Sequence, residues 1–214
     1  DVIVAGTVVI AGERGLGKTS TVIPMMLSAA GLCPNFPMQA SISRKVIYVT
    51  EDPEQARRII AAMVKNGDLV NDPGRINDSF KLVSAVRLRA TEIVRLKPHI
   101  EEFWTNHQMN DGQVYCTPPV IVLDTTNATI DLENISDNSE VSKTVSTLRN
   151  GFSDIPLVLV GHVSKATRSD ARQLSFVGAG AWEGDTQQSL YIASDDGDRH
   201  LILGKSRFSP EIKE

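Results

Sequence analysis

One segment of the chain has residue types and a spacing that could bind phosphate. Positions 12–19 fit the pattern GxxxxGK[ST] at every fixed position. Glycines at these points let the backbone curl so that N–H groups face inward, and a helix that begins near Lys18 adds its positive end. We predict that Lys18 reaches the β- and γ-phosphates of a bound nucleotide and that the Thr19 hydroxyl holds Mg²⁺. The predicted nucleotide-binding residues are Gly12, Glu13, Arg14, Gly15, Leu16, Gly17, Lys18, Thr19 and Ser20.

The alternative for this segment is a glycine-rich turn between a strand and a helix that binds nothing. The apolar run Thr7 to Ala11 directly before it is typical of a strand, and a helical pattern follows from Lys18 to Ala30. This strand–loop–helix order is the context that a phosphate-binding loop requires. The context therefore favours phosphate binding.

A second segment ends in a carboxylate that could sit beside bound phosphate. Val120 to Leu123 are four apolar residues, and Asp124 follows them directly. In a nucleotide site an acid at the end of such a strand holds Mg²⁺, directly or through water. The alternative is a core strand that ends at a turn-forming aspartate. Together with the phosphate-binding loop, the pattern favours Asp124 as a metal ligand.

Hydrolysis also needs a group that orients the attacking water, and no glutamate follows Asp124. The strand pattern Lys45 to Thr50 instead delivers Glu51 and Asp52 at its carboxyl end, where open α/β sheets place their sites. We predict that Glu51 is the catalytic carboxylate. The alternative role is to cap the helix that begins at Pro53, but Asp52 suits that position better.

Composition and charge limit the classes of protein that this chain could belong to. The 214 residues are 41% hydrophobic and 22% charged, and the net charge is −4. These values are ordinary for a globular protein and exclude a broadly basic surface for nucleic acid. No apolar run has the length of a membrane span and no secretory leader is visible, so a cytoplasmic location is expected. The chain opens at Asp1, not Met, so we expect one domain over residues 1–214 excised from a longer protein.

Apolar runs alternate with helical patterns along most of the chain, which predicts an α/β fold. The expected architecture is a mostly parallel central sheet flanked by helices, with a C-terminal antiparallel β-hairpin. The predicted strands are Thr7 to Ala11, Val46 to Thr50, Phe80 to Ser84, Val120 to Asp124 and Leu157 to Gly161, with a hairpin at Ser189 to Ala193 and His200 to Lys205. The predicted helices are Lys18 to Ala30, Pro53 to Asn66, Pro98 to Gln108 and Ser139 to Asn150.

The order of these motifs resembles that of the RecA-like P-loop ATPases, and especially the RepA-type hexameric replicative helicases. The resemblance covers about Gly6 to Phe208. Besides the two motifs above, it is carried by Thr50-Glu51-Asp52, Gly161-His162 with Lys165, the segment 177–182 and Lys205-Ser206-Arg207. It implies a RecA-like fold, ATP with Mg²⁺, assembly into a hexameric ring and contact with single-stranded DNA.

The resemblance also implies roles for the strand end at His162 and for two loops. His162 would contact the γ-phosphate side and relay the state of the nucleotide to the loops. These loops, 126–138 and 164–178, would face the channel of the ring. The second contains Lys165, Arg168 and Arg172, which could meet phosphates of a single strand. The first contains Asp131, Glu133 and Asp137 and looks poorly suited to DNA.

Lys205 and Arg207 are spaced so that both side chains lie on one face of a strand. The resemblance implies that this pair reaches into the active site of the neighbouring subunit and stabilises charge on the γ-phosphate, as an arginine finger does. The alternative is a solvated pair on an edge strand, where basic residues discourage aggregation. If the pair acts between subunits, activity requires assembly.

Two functions remain open on the sequence. The first is an ATP-hydrolysing motor domain of a RepA-like ring helicase that translocates on single-stranded DNA. The second is a regulatory or recombination ATPase of KaiC or RadA type, whose nucleotide state controls assembly. Both would use the same nucleotide site, so the phosphate-binding loop does not distinguish them.

Overall fold

The computed structural model describes residues 6–37, 40, 42–108, 114–163, 175–178, 180–195 and 198–207. Within these residues the strands are β1 (Thr7–Gly12), β2 (Val46–Thr50), β3 (Phe80–Ser84), β4 (Thr105–Gln108), β5 (Val114–Thr117), β6 (Val120–Asp124), β7 (Leu157–His162), β8 (Gln188–Asp195) and β9 (Asp198–Ser206). The helices are α1 (Lys18–Ala29), α2 (Pro53–Asn66), α3 (Pro73–Ser79), α4 (Ala90–Arg95), α5 (Lys97–Glu101), α6 (Thr126–Thr129), α7 (Asn138–Gly151) and α8 (Ala181–Gly184). None of the described helices is long and apolar enough to cross a membrane.

Seven strands form one sheet in the order β3-β2-β6-β7-β1-β8-β9. All neighbouring pairs are parallel except β8 and β9, which form an antiparallel hairpin. Every residue of β1 and β6 is buried, as expected for central parallel strands that are covered by helices on both faces. The predicted α/β fold with a C-terminal antiparallel hairpin is confirmed.

The register of the parallel strands brings the predicted site residues to one edge of the sheet. Gly12, at the end of β1, is paired with His162 at the end of β7. Thr50, at the end of β2, is paired with Asp124 at the end of β6. Because parallel strands end at the same edge, residues that follow these four ends share one surface of the molecule.

Local signals in the sequence explain where the main helices begin and end. Asp52 caps α2 by accepting a hydrogen bond from the backbone N–H of Gln55 at 2.9 Å, and Gly67 ends the helix with a positive φ of 80°. Asp137 caps α7 in the same way, accepting from Ser139 and Glu140. The prediction that Asp52, and not Glu51, caps this helix is thus confirmed.

The predicted helix from Pro98 to Gln108 is wrong over most of its length. Helix α5 ends at Glu101, and residues 105–108 form β4, which pairs antiparallel with β5. Pairing with β5, whose residues follow six to twelve positions later in the chain, outweighs the helical pattern here. The connecting sequence contains Asp111-Gly112, a pair favoured in hairpin turns, and this signal could have identified the hairpin.

Gly161 allows an aromatic ring to pack directly on β7. A Cβ atom added at Gly161 would overlap the ring of Phe176, far inside van der Waals contact with its Cζ. The Phe176 ring in turn lies 5.3 Å from the ring of the fully buried Trp182. The glycine therefore fixes how closely the segment 175–178 approaches the strand that carries His162.

We predict that Gly161→Ala destabilises the protein by about 1–3 kcal/mol, because the added methyl group forces the Phe176 ring out of its position. Chemical denaturation monitored by tryptophan fluorescence measures this change. Gly74→Ala is the control, since a Cβ there meets its nearest atom at 3.4 Å and should change stability by less than about 1 kcal/mol. Equal stabilities of Gly161→Ala and the wild type would contradict this packing.

Candidate nucleotide-binding site

The phosphate-binding loop is a compact turn between β1 and α1. Gly15 and Gly17 have φ values of 82° and 79°, which residues with a side chain rarely adopt. The ammonium of Lys18 lies back against the loop and donates to the carbonyl oxygens of Gly12 at 3.2 Å and Glu13 at 2.9 Å. Helix α1 begins at Lys18, so its first N–H groups point into the same space. This arrangement can hold phosphate oxygens between backbone donors and a lysine.

Lys18 is the most buried cation of the site, with 7% of its surface exposed. Burial lowers its pKa; the carboxylate of Asp124 partly opposes this effect, and the nearby Arg14 adds to it. Its Nζ also lies 2.9 Å from Nδ1 of His162. A charged Lys18 donates this hydrogen bond, so Nδ1 accepts it. The predicted sensor histidine is therefore in contact with the lysine that is predicted to bind the γ-phosphate.

Asp124 lies beside the loop and is 2% exposed. Its Oδ2 accepts a hydrogen bond from the Thr19 hydroxyl at 3.0 Å and another from the Tyr48 hydroxyl. Burial raises the pKa of this carboxyl, while the hydrogen bonds from Tyr48 and Thr19 and the charge of Lys18 oppose the rise. Thr19 and Asp124, the two predicted metal ligands, are thus in direct contact.

The residues present fit a magnesium ion. The second carboxylate oxygen of Asp124, Oδ1, is buried and has no hydrogen-bond partner among the described residues. A buried charged oxygen without a partner is costly, and Mg²⁺ or one of its water ligands would supply the missing partner. The Thr19 hydroxyl contacts the other oxygen of the same carboxylate, so Thr19 and Asp124 could bind the same ion. The metal role of these two residues stays a prediction.

Tyr48 was not identified from the sequence as a site residue. It lies in the middle of β2, is fully buried, and pairs in register with Val122 on β6. Its hydroxyl reaches Asp124, two residues further along β6, and burial is the main cause that raises the pKa of this tyrosine well above its usual range. A tyrosine inside an otherwise apolar buried strand needs a partner for its hydroxyl, and that requirement is the signal in the sequence.

An open cleft of about 660 Å³ adjoins the loop. It is lined by Arg14, Gly15, Gly17, Lys18, Thr19, Ser20, Glu51, Gln55, Val86, Arg87, Thr125, Asn127, Ala128 and His162. Glu51 is exposed in this cleft, at the carboxyl end of β2, while the neighbouring Asp52 caps α2. The structure therefore brings Glu51 to the same cleft as Lys18, Thr19 and His162. Its role as the catalytic carboxylate stays a prediction.

Arg87 is a second cleft residue that was not identified from the sequence. It has a φ of 50°, and its backbone N–H donates to the carbonyl of Ala128 at 2.9 Å. This hydrogen bond joins the segment after β3 to α6, which follows Asp124. The contact depends on tertiary packing, and nothing in the local sequence indicates it.

Lys205 and Arg207 do not line the cleft in the described part of the chain. Lys205 Nζ donates to the carbonyls of Glu183 at 2.7 Å and Gly184 at 2.9 Å, and Arg207 Nη2 donates to Gly184 at 2.7 Å. The two cations thus share the carboxyl end of α8, and their role as a finger stays a prediction. Burial lowers the pKa of Lys205, and the charge of Arg207 lowers it further.

The two predicted loops differ in what the structure describes. The first, 126–138, includes the short helix α6, and the segment after it is held by Glu140, which accepts from the backbone N–H groups of Glu133 at 2.7 Å and Asn134 at 2.9 Å. Glu140, just after the loop, therefore holds this segment, and Asp137 caps α7, so these two acids have structural roles. Lys165, Arg168 and Arg172 of the second loop lie outside the described residues.

The end of the second loop is tied to the strand that carries His162. The backbone N–H of Val177 donates to the carbonyl of His162 at 2.6 Å, and Val163 and Phe176 form an isolated antiparallel bridge. The backbone N–H of Phe176 also donates to the side chain of Glu183 in α8. His162, the loop end and α8 are therefore connected through direct hydrogen bonds.

We predict that Tyr48→Phe raises the Mg²⁺ concentration for half-maximal ATP hydrolysis by about tenfold. The ring still fills its space, but the variant lacks the hydroxyl that orients Asp124, and the loss of such a supporting hydrogen bond typically costs about 10–100-fold in metal affinity or activity. Tyr191→Phe is the matched control, because it removes the hydroxyl of a buried tyrosine on β8 that does not line the cleft. A wild-type Mg²⁺ requirement in Tyr48→Phe would show that the hydroxyl does not support the metal site.

Comparison with known proteins agrees with this geometry. Residues 1–168 match the protein family described as AAA domain. No protein of curated function matches the sequence. Among solved structures, the RadB recombinase superimposes with a TM-score of 0.58 at 18% identity, covering 98% of this chain and 85% of that one. A second solved structure, an ATPase domain, superimposes with a TM-score of 0.60 at 12% identity, covering 96% of this chain and 78% of that one. The chain therefore belongs to the AAA domain family, and its fold is that of a RecA-like P-loop ATPase domain.

Proposed function

We propose that this chain is the ATP-hydrolysing motor domain of a RepA-like ring helicase that moves along single-stranded DNA. The observation that supports the proposal is that the predicted site residues lie in two separate places. One set of residues surrounds the phosphate-binding loop, whereas Lys205 and Arg207 are held on α8, away from that cleft. Separation of this basic pair from its own cleft is what an enzyme that hydrolyses ATP between subunits would show.

Within one subunit, the proposed reaction is in-line attack of water on the γ-phosphate. Lys18 and the N–H groups at the start of α1 hold the phosphate oxygens, and Glu51 orients the water from the carboxyl end of β2. Thr19 and Asp124 would hold Mg²⁺, which supplies positive charge against the charge that develops on the phosphates. Tyr48 and Thr19 keep the Asp124 carboxylate oriented.

The register of the hairpin supports action of Lys205 and Arg207 in a neighbouring subunit. Ser206 pairs with Gln188, which pairs with Val8 near the start of β1, while the phosphate-binding loop follows Gly12. At about 3.3 Å per residue, the pair lies roughly 13 Å from the carboxyl end of β1, measured along the strand toward its amino end. The strand order also places β9 well away from β2 and its Glu51, with β8, β1, β7 and β6 between them. The pair is therefore poorly placed to serve its own cleft.

His162 is suited to relay the state of the nucleotide. Its ring contacts Lys18, and its backbone carbonyl accepts from Val177 at the end of the second predicted loop. A phosphate that draws Lys18 toward itself would change the partner of His162 and could shift this loop end. Through Lys165, Arg168 and Arg172 the loop would then grip or release the phosphates of single-stranded DNA.

A second candidate is a regulatory or recombination ATPase whose nucleotide state controls assembly. It is favoured by the likeness to the RadB recombinase, which is as close in fold as the solved ATPase domain, at TM-scores of 0.58 and 0.60. Because both identities are below 25%, these likenesses concern the fold. Stimulation by DNA and the dependence on Arg207 separate the two candidates.

The test is steady-state ATP hydrolysis of the full-length protein with and without single-stranded DNA. We expect DNA to raise the rate several-fold, and Glu51→Gln and Arg207→Ala each to lower it by at least about 100-fold while nucleotide still binds. Glu54→Gln, which changes an exposed acid in the first turn of α2, is the matched control for Glu51→Gln and should keep the wild-type rate.

Mixing the two inactive variants tests whether the site is shared. A subunit with Arg207→Ala still supplies Glu51, and a neighbour with Glu51→Gln still supplies Arg207, so about one interface in four regains both. An equal mixture should therefore recover about a quarter of the wild-type rate. If DNA does not change the rate of ATP hydrolysis and Arg207→Ala keeps its activity, the motor proposal fails and the regulatory ATPase takes its place.

A further inference from the structure

Arg199 lies on the phosphate-binding loop although it comes from the C-terminal hairpin. Its Nη1 donates to the hydroxyl of Ser20 at 3.1 Å. A Cβ atom added at Gly17 would lie 2.7 Å from its Nη2 and 2.8 Å from its Cζ, so the guanidinium packs onto the bare Cα of that glycine. The Ser20 hydroxyl donates to the carbonyl of Gly17 at 2.8 Å, which leaves its oxygen oriented to accept from Arg199.

The electrostatic setting of Arg199 points to an anion. Its guanidinium adjoins the positive end of α1, whose first turn contains no acidic residue. Lys18 and Arg14 add two cations in the same region. No ion pair of Arg199 occurs within the described ranges. A cation at a helix N-terminus is unfavourable on its own, and an anion bound between the two removes that cost.

The sheet order shows which part of a nucleotide would meet this cation. Asp124 and Glu51 follow β6 and β2, on one side of β1, and they mark the side of the γ-phosphate. Arg199 lies on β9, on the other side of β1, and pairs with Ser194, two residues beyond the residue of β8 that pairs with the end of β1. A triphosphate that runs along the loop from the γ-phosphate side therefore leaves toward the hairpin. Its last phosphate before the nucleoside is the α-phosphate.

We propose that Arg199 binds the α-phosphate of the nucleotide within its own subunit. This inference rests on the proposed ATPase site and adds a ligand from the hairpin to the residues of the loop. Ser20 holds the guanidinium in position, and Gly17 lets it approach the loop closely. Arg199 and the pair Lys205 and Arg207 lie near opposite ends of the same strand, so one strand would contact nucleotide in its own subunit and in the neighbour's.

The experiment measures Kd by calorimetry for ADP and for a non-hydrolysable ATP analogue with the full-length protein. Because both ligands contain the α-phosphate, Arg199→Ala should raise both Kd values by the same factor, about tenfold. Arg199→Lys keeps the charge but loses the planar guanidinium, so its Kd values should lie between those of the wild type and Arg199→Ala. Arg95→Ala, which removes an exposed arginine in the last turn of α4, and His200→Ala, next to Arg199 on β9, are controls that should bind normally.

Three results would overturn the assignment. Unchanged Kd values in Arg199→Ala would remove Arg199 from the site. A loss confined to the ATP analogue would place the contact at the γ-phosphate. A Lys variant as weak as the Ala variant would indicate stacking on the base in place of a charge contact. Failure of the nucleotide site itself is distinct, because the wild-type protein would then bind neither ligand. Failure of the motor proposal is distinct as well, because it would leave both Kd values and the effect of Arg199→Ala unchanged.

Discussion

The site depends on a buried cluster that contains Lys18, the Asp124 carboxylate and the groups that hydrogen-bond to each of them. Two charged groups lie almost entirely out of water, and burial shifts both pKa values toward the neutral forms. Such a cluster is tolerated only if each group is satisfied by the others, and here Thr19, Tyr48, His162 and loop carbonyls provide those contacts. One carboxylate oxygen remains without a partner in the described part of the chain, which fits a site that is completed by its ligand.

The parallel sheet is what allows this cluster to form from distant parts of the sequence. Register pairs Gly12 with His162 and Thr50 with Asp124, so four strand ends meet at one edge. The antiparallel hairpin extends from the amino ends to the carboxyl ends of the parallel strands. The start of β9 lies over the loop through Arg199, whereas the end of β9 is anchored to α8 through Lys205 and Arg207. The hairpin thus connects the predicted site of one subunit with the surface that would meet the next.

Much of this arrangement is predictable from the sequence, because its signals are local. The loop pattern, the acid after β6 and the Glu51-Asp52 pair each follow a recognisable apolar strand. Tyr48, Arg87 and Arg199 were missed because their roles depend on contacts across the sheet. Strand β4 was predicted as the end of a helix because its pairing with β5 was not recognised. The ends of the strands can therefore be predicted from local sequence patterns, whereas the side chains that support the site can be identified only from the fold.

The most direct test of the central claim is calorimetric titration of the protein with ADP in the presence and absence of Mg²⁺, for the wild type, Lys18→Ala and Asp124→Asn. The account predicts one nucleotide per chain in the wild type, strengthened by Mg²⁺. Lys18→Ala should lose binding, and Asp124→Asn should bind without the gain from Mg²⁺. Wild-type affinity in Lys18→Ala, or a Mg²⁺ effect that survives in Asp124→Asn, would contradict the assignment of the buried cluster as the nucleotide and metal site.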